Sequence, residues 1–319
     1  MGQFEVIVNQ IIILAILVII GYLGARWKVI NDEVKSSMAK IIIKISMPLL
    51  VLTSISSKEL TDEMMKNALA VAGFAYLSLG LLLAAGFLSA KLMGMKGVTK
   101  NVHTAHIVFG NVVFLGFPLL NALYPDGQGL LYAAIYQIVS DSLLWTVGVY
   151  LLSKHEDVKK GKGLRQLINP NTIAFVIGII MMVFKLRLPG LLQQPLSQLG
   201  NVTVPLSMLF IGATLASIPL TNIYKRYTIF VLSILKMIII PVIVLYILNY
   251  VNRYLNFGIN DIAKAVLVLE TAMPGMATVV VLAKDFDSDY VYAAECVFIT
   301  TILSLITLPF MFYLIEIIK

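Results

Sequence analysis

The chain has 319 residues, of which 59% are hydrophobic and only 13% charged, with a mean hydropathy of +0.92. A soluble domain is about half apolar and about a quarter charged, so this composition excludes a water-soluble enzyme and leaves an integral membrane protein. The net charge of +7 resembles a nucleic-acid signal, but the distribution of the basic residues gives it another meaning.

A helix crosses the hydrocarbon core in about 20 residues. Apolar runs of that length, separated by charged or turn-rich breaks, predict ten spans: 6–25, 36–54, 67–90, 102–123, 129–152, 170–186, 196–217, 228–250, 262–283 and 290–315. The first run is followed, not preceded, by Arg26 and Lys28, and no small-residue cleavage site closes it. It reads as a retained helix and not as a signal peptide. The connections after spans one, three, five, seven and nine hold fourteen Lys and Arg, and the opposite side holds seven. The positive-inside rule therefore predicts a multi-pass protein of the plasma (inner) membrane with both termini outside the cytoplasm. The basic excess is topological, so the lipid bilayer is the implied partner and nucleic acid is not. The single Cys296 excludes a disulfide framework, a cysteine metal site and a CxxC redox motif.

The longest hydrophilic connection divides the chain near its midpoint, with Asn169 and Pro170 suited to a helix start. The expected organisation is a five-helix repeat over 1–153, a cytoplasmic linker over 154–169 and a second, inverted five-helix repeat over 170–319. Five spans per half means that the second copy enters the bilayer upside down. Ordered echoes support it. Pro48 in span two answers Pro205 in span seven, and Tyr132-Ala133-Ala134 in span five answers Tyr292-Ala293-Ala294 in span ten. Spans four and nine alone combine a central proline with nearby glycine: Gly110, Asn111, Gly116 and Pro118 in one, Glu270, Thr271, Pro274 and Gly275 in the other.

Proline removes a backbone donor and disfavours helix at the residue before it, while glycine permits unwound backbone. Interrupted helices at corresponding places in two halves are the best sequence pointer to a transporter's binding site. If both unwind near the midplane and cross, their half-helix N-termini favour a carboxylate and their freed carbonyls a cation. The competing reading is that Pro118 and Pro274 merely kink packed helices, as is expected of Pro241 and Pro309.

The segments NVVFLGFPLL, GLLYAAIYQIVSDSLLWTVGVYLL and AMPGMATVVVLAKDFDSDYVYAAECVFITTILSLITLP resemble the auxin efflux carrier family, and most of all its bacterial malate and malonate permease-like branch. The resemblance covers the whole chain. It implies an all-α membrane protein of ten helices in two inverted five-helix repeats with broken, crossing helices four and nine, elevator-like alternation, organic anion transport and a homodimer. The fold it implies is similar to that of the bile acid:sodium symporters, where a polar residue before one crossover and an acid at the other hold sodium; Asn111 and Glu270 stand at the matching places. Plant members carry a long central hydrophilic loop, absent here, and Asn after each crossing proline, where this chain has Leu119 and Gly275. Both departures argue against auxin as the substrate.

Five charged side chains fall inside spans: Lys44, Asp141, Lys236, Glu270 and, less deeply, Glu295. Each costs about 2.5–3.5 kcal/mol at a helix centre on the insertion scale, so most are expected to face protein or a wet cavity. Glu270, beside Thr271 and four residues before Pro274, is the leading candidate. Ionised, it would bind Na+ with Asn111; protonated, it would carry H+; its structural alternative is pairing with Lys44 or Lys236. Asp141 shares a polar stripe with Gln137, Ser140, Trp145 and Gly148, which lines either a pathway or a helix contact. Lys44 would attract an anion or pair with an acid, and Lys236 reads as a structural counter-ion. His103 and His106, three apart, make a weak metal signal and read as interfacial polar residues.

These residues predict a secondary carrier of a small mono- or dicarboxylate, with Gly110, Asn111, Gly116, Pro118, Thr271, Pro274, Gly275 and Lys44 on the substrate and Glu270, Asp141 and Gln137 on the coupling ion. No cofactor is expected beyond Na+ or H+. Three alternatives stay open: a sodium symporter for larger amphipathic anions, a non-transporting ligand sensor using the same crossover, and a membrane-embedded aspartyl protease. The last needs two facing aspartates, whereas Asp141 is the only one deep in a span.

Overall fold

The computed structural model describes residues 3–58, 60–153, 168–217 and 227–318. The expected linker lies outside them apart from its last two residues, as do Lys225 and Arg226. The described residues form twelve helices: α1 (Gln3–Arg26), α2 (Asp32–Ser56), α3 (Asp62–Leu92), α4 (Gly97–Val108), α5 (Val112–Leu123), α6 (Gln128–Leu152), α7 (Pro170–Val183), α8 (Gly190–Ser217), α9 (Tyr227–Leu255), α10 (Asp261–Thr271), α11 (Ala277–Asp285) and α12 (Tyr290–Ile317). Seven of them, α1, α2, α3, α6, α8, α9 and α12, are long and apolar enough to cross a membrane, and α5 and α7 are shorter apolar helices. The chain is thus a helical, multi-pass membrane protein. The expected spans four and nine each appear as two pieces, α4 with α5 and α10 with α11. At 1.5 Å per residue none of these pieces alone covers the roughly 30 Å hydrocarbon core.

Helix starts follow local chemistry. Asn169 Oδ1 accepts from the Asn171 and Thr172 amides at 3.0 and 3.1 Å, with Pro170 in the first turn where its missing N–H costs nothing. Asn260 caps α10 through the Ala263 amide at 2.9 Å, and Asp289 caps α12 through the Tyr292 amide at 3.0 Å.

Three prolines inside long helices share one device. Pro48, Pro118 and Pro241 each follow directly on a widened π-helical turn, at Ile42–Ser46, Val112–Gly116 and Leu235–Ile239. A proline ring clashes with the carbonyl four residues back and leaves it without a donor, and a π-turn gives that carbonyl room without ending the helix. This corrects the expectation for Pro118. The helix runs on from Val112 through Leu123, with Gly116 in ordinary helical geometry (φ −62°, ψ −54°). The break lies upstream, at Phe109–Asn111.

The helices gather into two compact units, each drawn from three stretches of chain. The first takes Met1–Leu69, Val113–Ile135 and Ile168–Ser217; the second takes Ala70–Val112, Tyr136–Leu167 and Ile218–Lys319. Within the first, α1 packs along the second half of α8, where a Cβ at Gly212 would run into the Val18 carbonyl. In lipid, where tails are as apolar as leucine, small residues at such seams supply close packing in place of a hydrophobic drive. The second half of α2 packs on α7 and on the start of α8. Within the second unit α12 is the hub, touching α4, α9, α10 and α11.

Candidate crossover site

The second unit holds both interruptions, together with α4, α10 and α11, and the chain crosses itself there. Phe109 leaves the helical conformation (φ −91°, ψ 115°), and Gly110 pairs antiparallel with Gly275. The Asn111 amide donates to the Pro274 carbonyl at 2.8 Å, and the Met276 amide donates to the Phe109 carbonyl at 3.2 Å. Backbone groups freed inside hydrocarbon must find partners within the protein, and here each break supplies some of the other's. Pro274 accounts for the second break directly, since its ring disfavours helix at Met273. On α12, the Thr300 hydroxyl accepts from the Gly275 amide at 2.9 Å and donates to the Cys296 carbonyl at 2.7 Å.

Both crossing positions require glycine. A Cβ on Gly110 would lie 3.0 Å from Met273 Cβ, and one on Gly275 would lie 2.7 Å from His106 Nδ1 and 3.3 Å from Thr300 Oγ1. With the crossing at Gly110, the residue that follows it is Asn111.

The carbonyl end of α4 meets a buried cation. Lys236 Nζ, on the π-turn of α9, donates to the Ile107 carbonyl at 2.9 Å and lies 3.5 Å from that of Val108. The side chain is fully buried, and the helix C-terminus offers it partial negative charge as well as acceptors. Lys236 is therefore a counter-charge to a helix end and not to Glu270.

His103 and His106 are both wholly buried, which corrects the expectation of interfacial residues. Helix α4 starts at Gly97, five residues before the expected span, so both rings stand well inside it. His103 bonds Ser89 Oγ at 3.0 Å through Nε2 and the Tyr292 hydroxyl at 2.9 Å through Nδ1. Neither nitrogen of His106 has a hydrogen-bond partner.

Glu270 is 1% exposed, and both its carboxyl oxygens lack a hydrogen-bond partner. The structural alternative of a lysine partner is not met, because Lys236 serves α4 and Lys44, in the first unit, is exposed. The Thr271 hydroxyl donates to the Leu267 carbonyl at 2.6 Å, and Tyr136 is buried. Gln137 Nε2 donates to Asp141 Oδ2 at 3.3 Å, one turn apart and both buried. Thus Gly110, Asn111, Glu270, Thr271, Pro274, Gly275, Gln137 and Asp141 belong to the second unit, and Lys44, Gly116 and Pro118 to the first. Sequence reasoning passed over Thr300 and gave His106 and Lys236 only structural roles. The signal for Thr300 was modest, a hydroxyl within a mostly apolar span.

Two broken helices crossing through glycine inside a multi-pass helical protein define a membrane transport protein, and the comparisons agree. The sequence profile of the family described as membrane transport protein matches residues 6–312. The chain belongs to this family, that of the auxin efflux carriers. It is 27% identical over 315 residues to an uncharacterized transporter of Methanothermobacter thermautotrophicus, covering 97% of each chain. It is 24% identical over 311 residues to an uncharacterized transporter of Methanocaldococcus jannaschii, covering 94% of this chain and 96% of that one.

Proposed function

We propose that the protein is a secondary active carrier of small organic anions, mono- or dicarboxylates, coupled to a proton or a sodium ion and working by elevator-like alternating access. The observation that carries this reading is the antiparallel crossing of Gly110 and Gly275 at two helix breaks. A correspondence between the two halves, as inverted repeats would give, supports it: Gly97 and Asp261 open α4 and α10, and Gly110 and Pro274 stand in the breaks, each pair 164 positions apart. On this reading both termini lie outside the cytoplasm.

The anion's carboxylate meets amides of the half-helix ends beside the crossing, with a hydrogen bond from the Asn111 side chain; Thr271 adds another only by turning its hydroxyl away from the Leu267 carbonyl. Glycine at 110 and 275 allows close backbone approach. Gly116 and Pro118, inside the unbroken α5, shape that helix. Glu270 takes the coupling ion, because an ionised carboxylate buried without a donor is costly and a cation removes the cost. Sodium needs several further oxygens around it, whereas a proton needs only one carboxyl oxygen.

Uptake of labelled malate, malonate and lactate into proteoliposomes under imposed proton or sodium gradients tests the proposal. Glu270→Gln is expected to insert normally and to lose the dependence of uptake on the cation gradient. Unchanged cation-dependent uptake in that variant removes Glu270 from the mechanism. Ligand binding without counterflow of label refutes the carrier and leaves a sensor.

A further inference from the structure

The two half-helices that end at the crossing are served differently. Each has a C-terminus whose carbonyls and partial negative charge call for a donor or a cation in hydrocarbon. At α4 that demand is met from within, since Lys236 Nζ sits 2.9 Å from the Ile107 carbonyl and 3.5 Å from that of Val108. The last turn of α10 instead carries Glu270, buried and with neither oxygen partnered.

The side chains at equivalent positions sharpen the contrast. His106 stands four residues before Gly110, as Glu270 stands four before Pro274. Where one repeat places an acid the other places an imidazole, close enough to Lys236 and His103 to feel their charge. The carbonyls at that helix end that would coordinate a second cation already hold an ammonium.

We propose that Lys236 is a resident cation that permanently fills the first of two equivalent half-sites, so that the carrier binds one coupling cation, at Glu270, and not one at each half. This rests on the reading of the crossing as the transport site. It assigns Lys236 a positioning role: it holds the end of α4, and with it Gly110 and Asn111, in a conformation whose freed carbonyls would otherwise call for a bound cation.

Thermal unfolding of the purified full-length protein in detergent tests it without a known substrate. Lys236→Ala and Lys236→Met are expected to melt about 5–10 °C below the parent, with Lys236→Arg close to it. n-Propylammonium chloride completes the side chain missing from the alanine variant. Against tetramethylammonium chloride at equal ionic strength, it is expected to restore several degrees to Lys236→Ala and nothing to Lys236→Met, whose side chain fills the space. A methionine variant as stable as the parent, or an alanine variant that gains no more than the parent, overturns the role of Lys236. A melting temperature that rises with sodium, against choline, and still does so in Glu270→Gln reveals a second cation site and overturns the single-ion claim. Absence of flux in the anion screen would instead overturn the carrier reading, which these melting curves do not address.

Discussion

Gly275→Ala isolates the closeness of the crossing. The added Cβ would lie 2.7 Å from His106 Nδ1, 3.5 Å from its Cε1 and 3.3 Å from Thr300 Oγ1. His106 is fully buried, so its ring cannot swing out to solvent. Overpacking of this kind costs about 1–3 kcal/mol. If Thr300 is pushed away, the Gly275 amide loses its acceptor, which adds about 1 kcal/mol or more for a buried unsatisfied donor. The expected loss is about 2–4 kcal/mol, or about 5–10 °C in melting temperature at a few degrees per kcal/mol. Gly73→Ala and Gly80→Ala are the controls, because a Cβ at either meets nothing within 4 Å. Both lie in α3, where alanine gains about 1 kcal/mol of helix propensity over glycine. Unfolding in detergent, followed by the fluorescence of Trp27 and Trp145, should separate the two classes. Were Gly275→Ala to melt with the controls, the crossing would not be as tight as the structure has it, and the argument from close backbone approach would fail.

The other predictions use the same measurement or simple labelling. Thr300→Val keeps the shape of the side chain but removes the acceptor of the Gly275 amide, so it should lose about 1–3 kcal/mol; Thr300→Ser keeps the oxygen and should recover most of it. Gly110→Ala drives a Cβ to 3.0 Å from Met273 Cβ and 3.4 Å from its carbonyl oxygen and should destabilise by about 1–3 kcal/mol. Pro118→Ala should change stability by less than about 1 kcal/mol, and a larger loss there would return the break to Pro118. Cysteines at Trp27 and Thr61, both exposed and on either side of α2, should react with a membrane-impermeant maleimide from opposite faces, Trp27→Cys from the cytoplasm. The native Cys296 is buried and gives no background, and labelling of both from one side would refute the predicted orientation.

The helices were legible because their signal is composition over a length that the bilayer fixes. The apolar run 67–90 appears as Asp62–Leu92 and 228–250 as Tyr227–Leu255, with ends displaced by a few residues. The caps Asn169 and Pro170 were readable too, since they act through their own backbone neighbours. What misled was proline. Its chemistry reports a missing donor and a steric clash but not how the helix absorbs them. Pro274 and Pro118 look alike in sequence, yet one lies in a break and the other follows a π-turn that keeps its helix whole. Gly110, with no proline beside it, marks the first break only because another backbone has to pass there.

The buried charges show the same limit from the electrostatic side. Insertion costs say that Lys236 and Glu270 need company, and pairing Glu270 with Lys44 or Lys236 was the structural alternative to ion coupling. The alternative is a helix terminus, which is invisible until the break is placed: once α4 is known to stop at Val108, its last carbonyls become a partner for Lys236 as good as a carboxylate. Among the described residues that leaves Glu270 no free buried lysine, since Lys264 is held at 3.3 Å by Asp261. The unpaired acid thus follows from the location of one helix end. A substitution that rebuilt α4 through Gly110 would be expected to free Lys236 and so change the chemistry of Glu270, although the two residues lie on different helices.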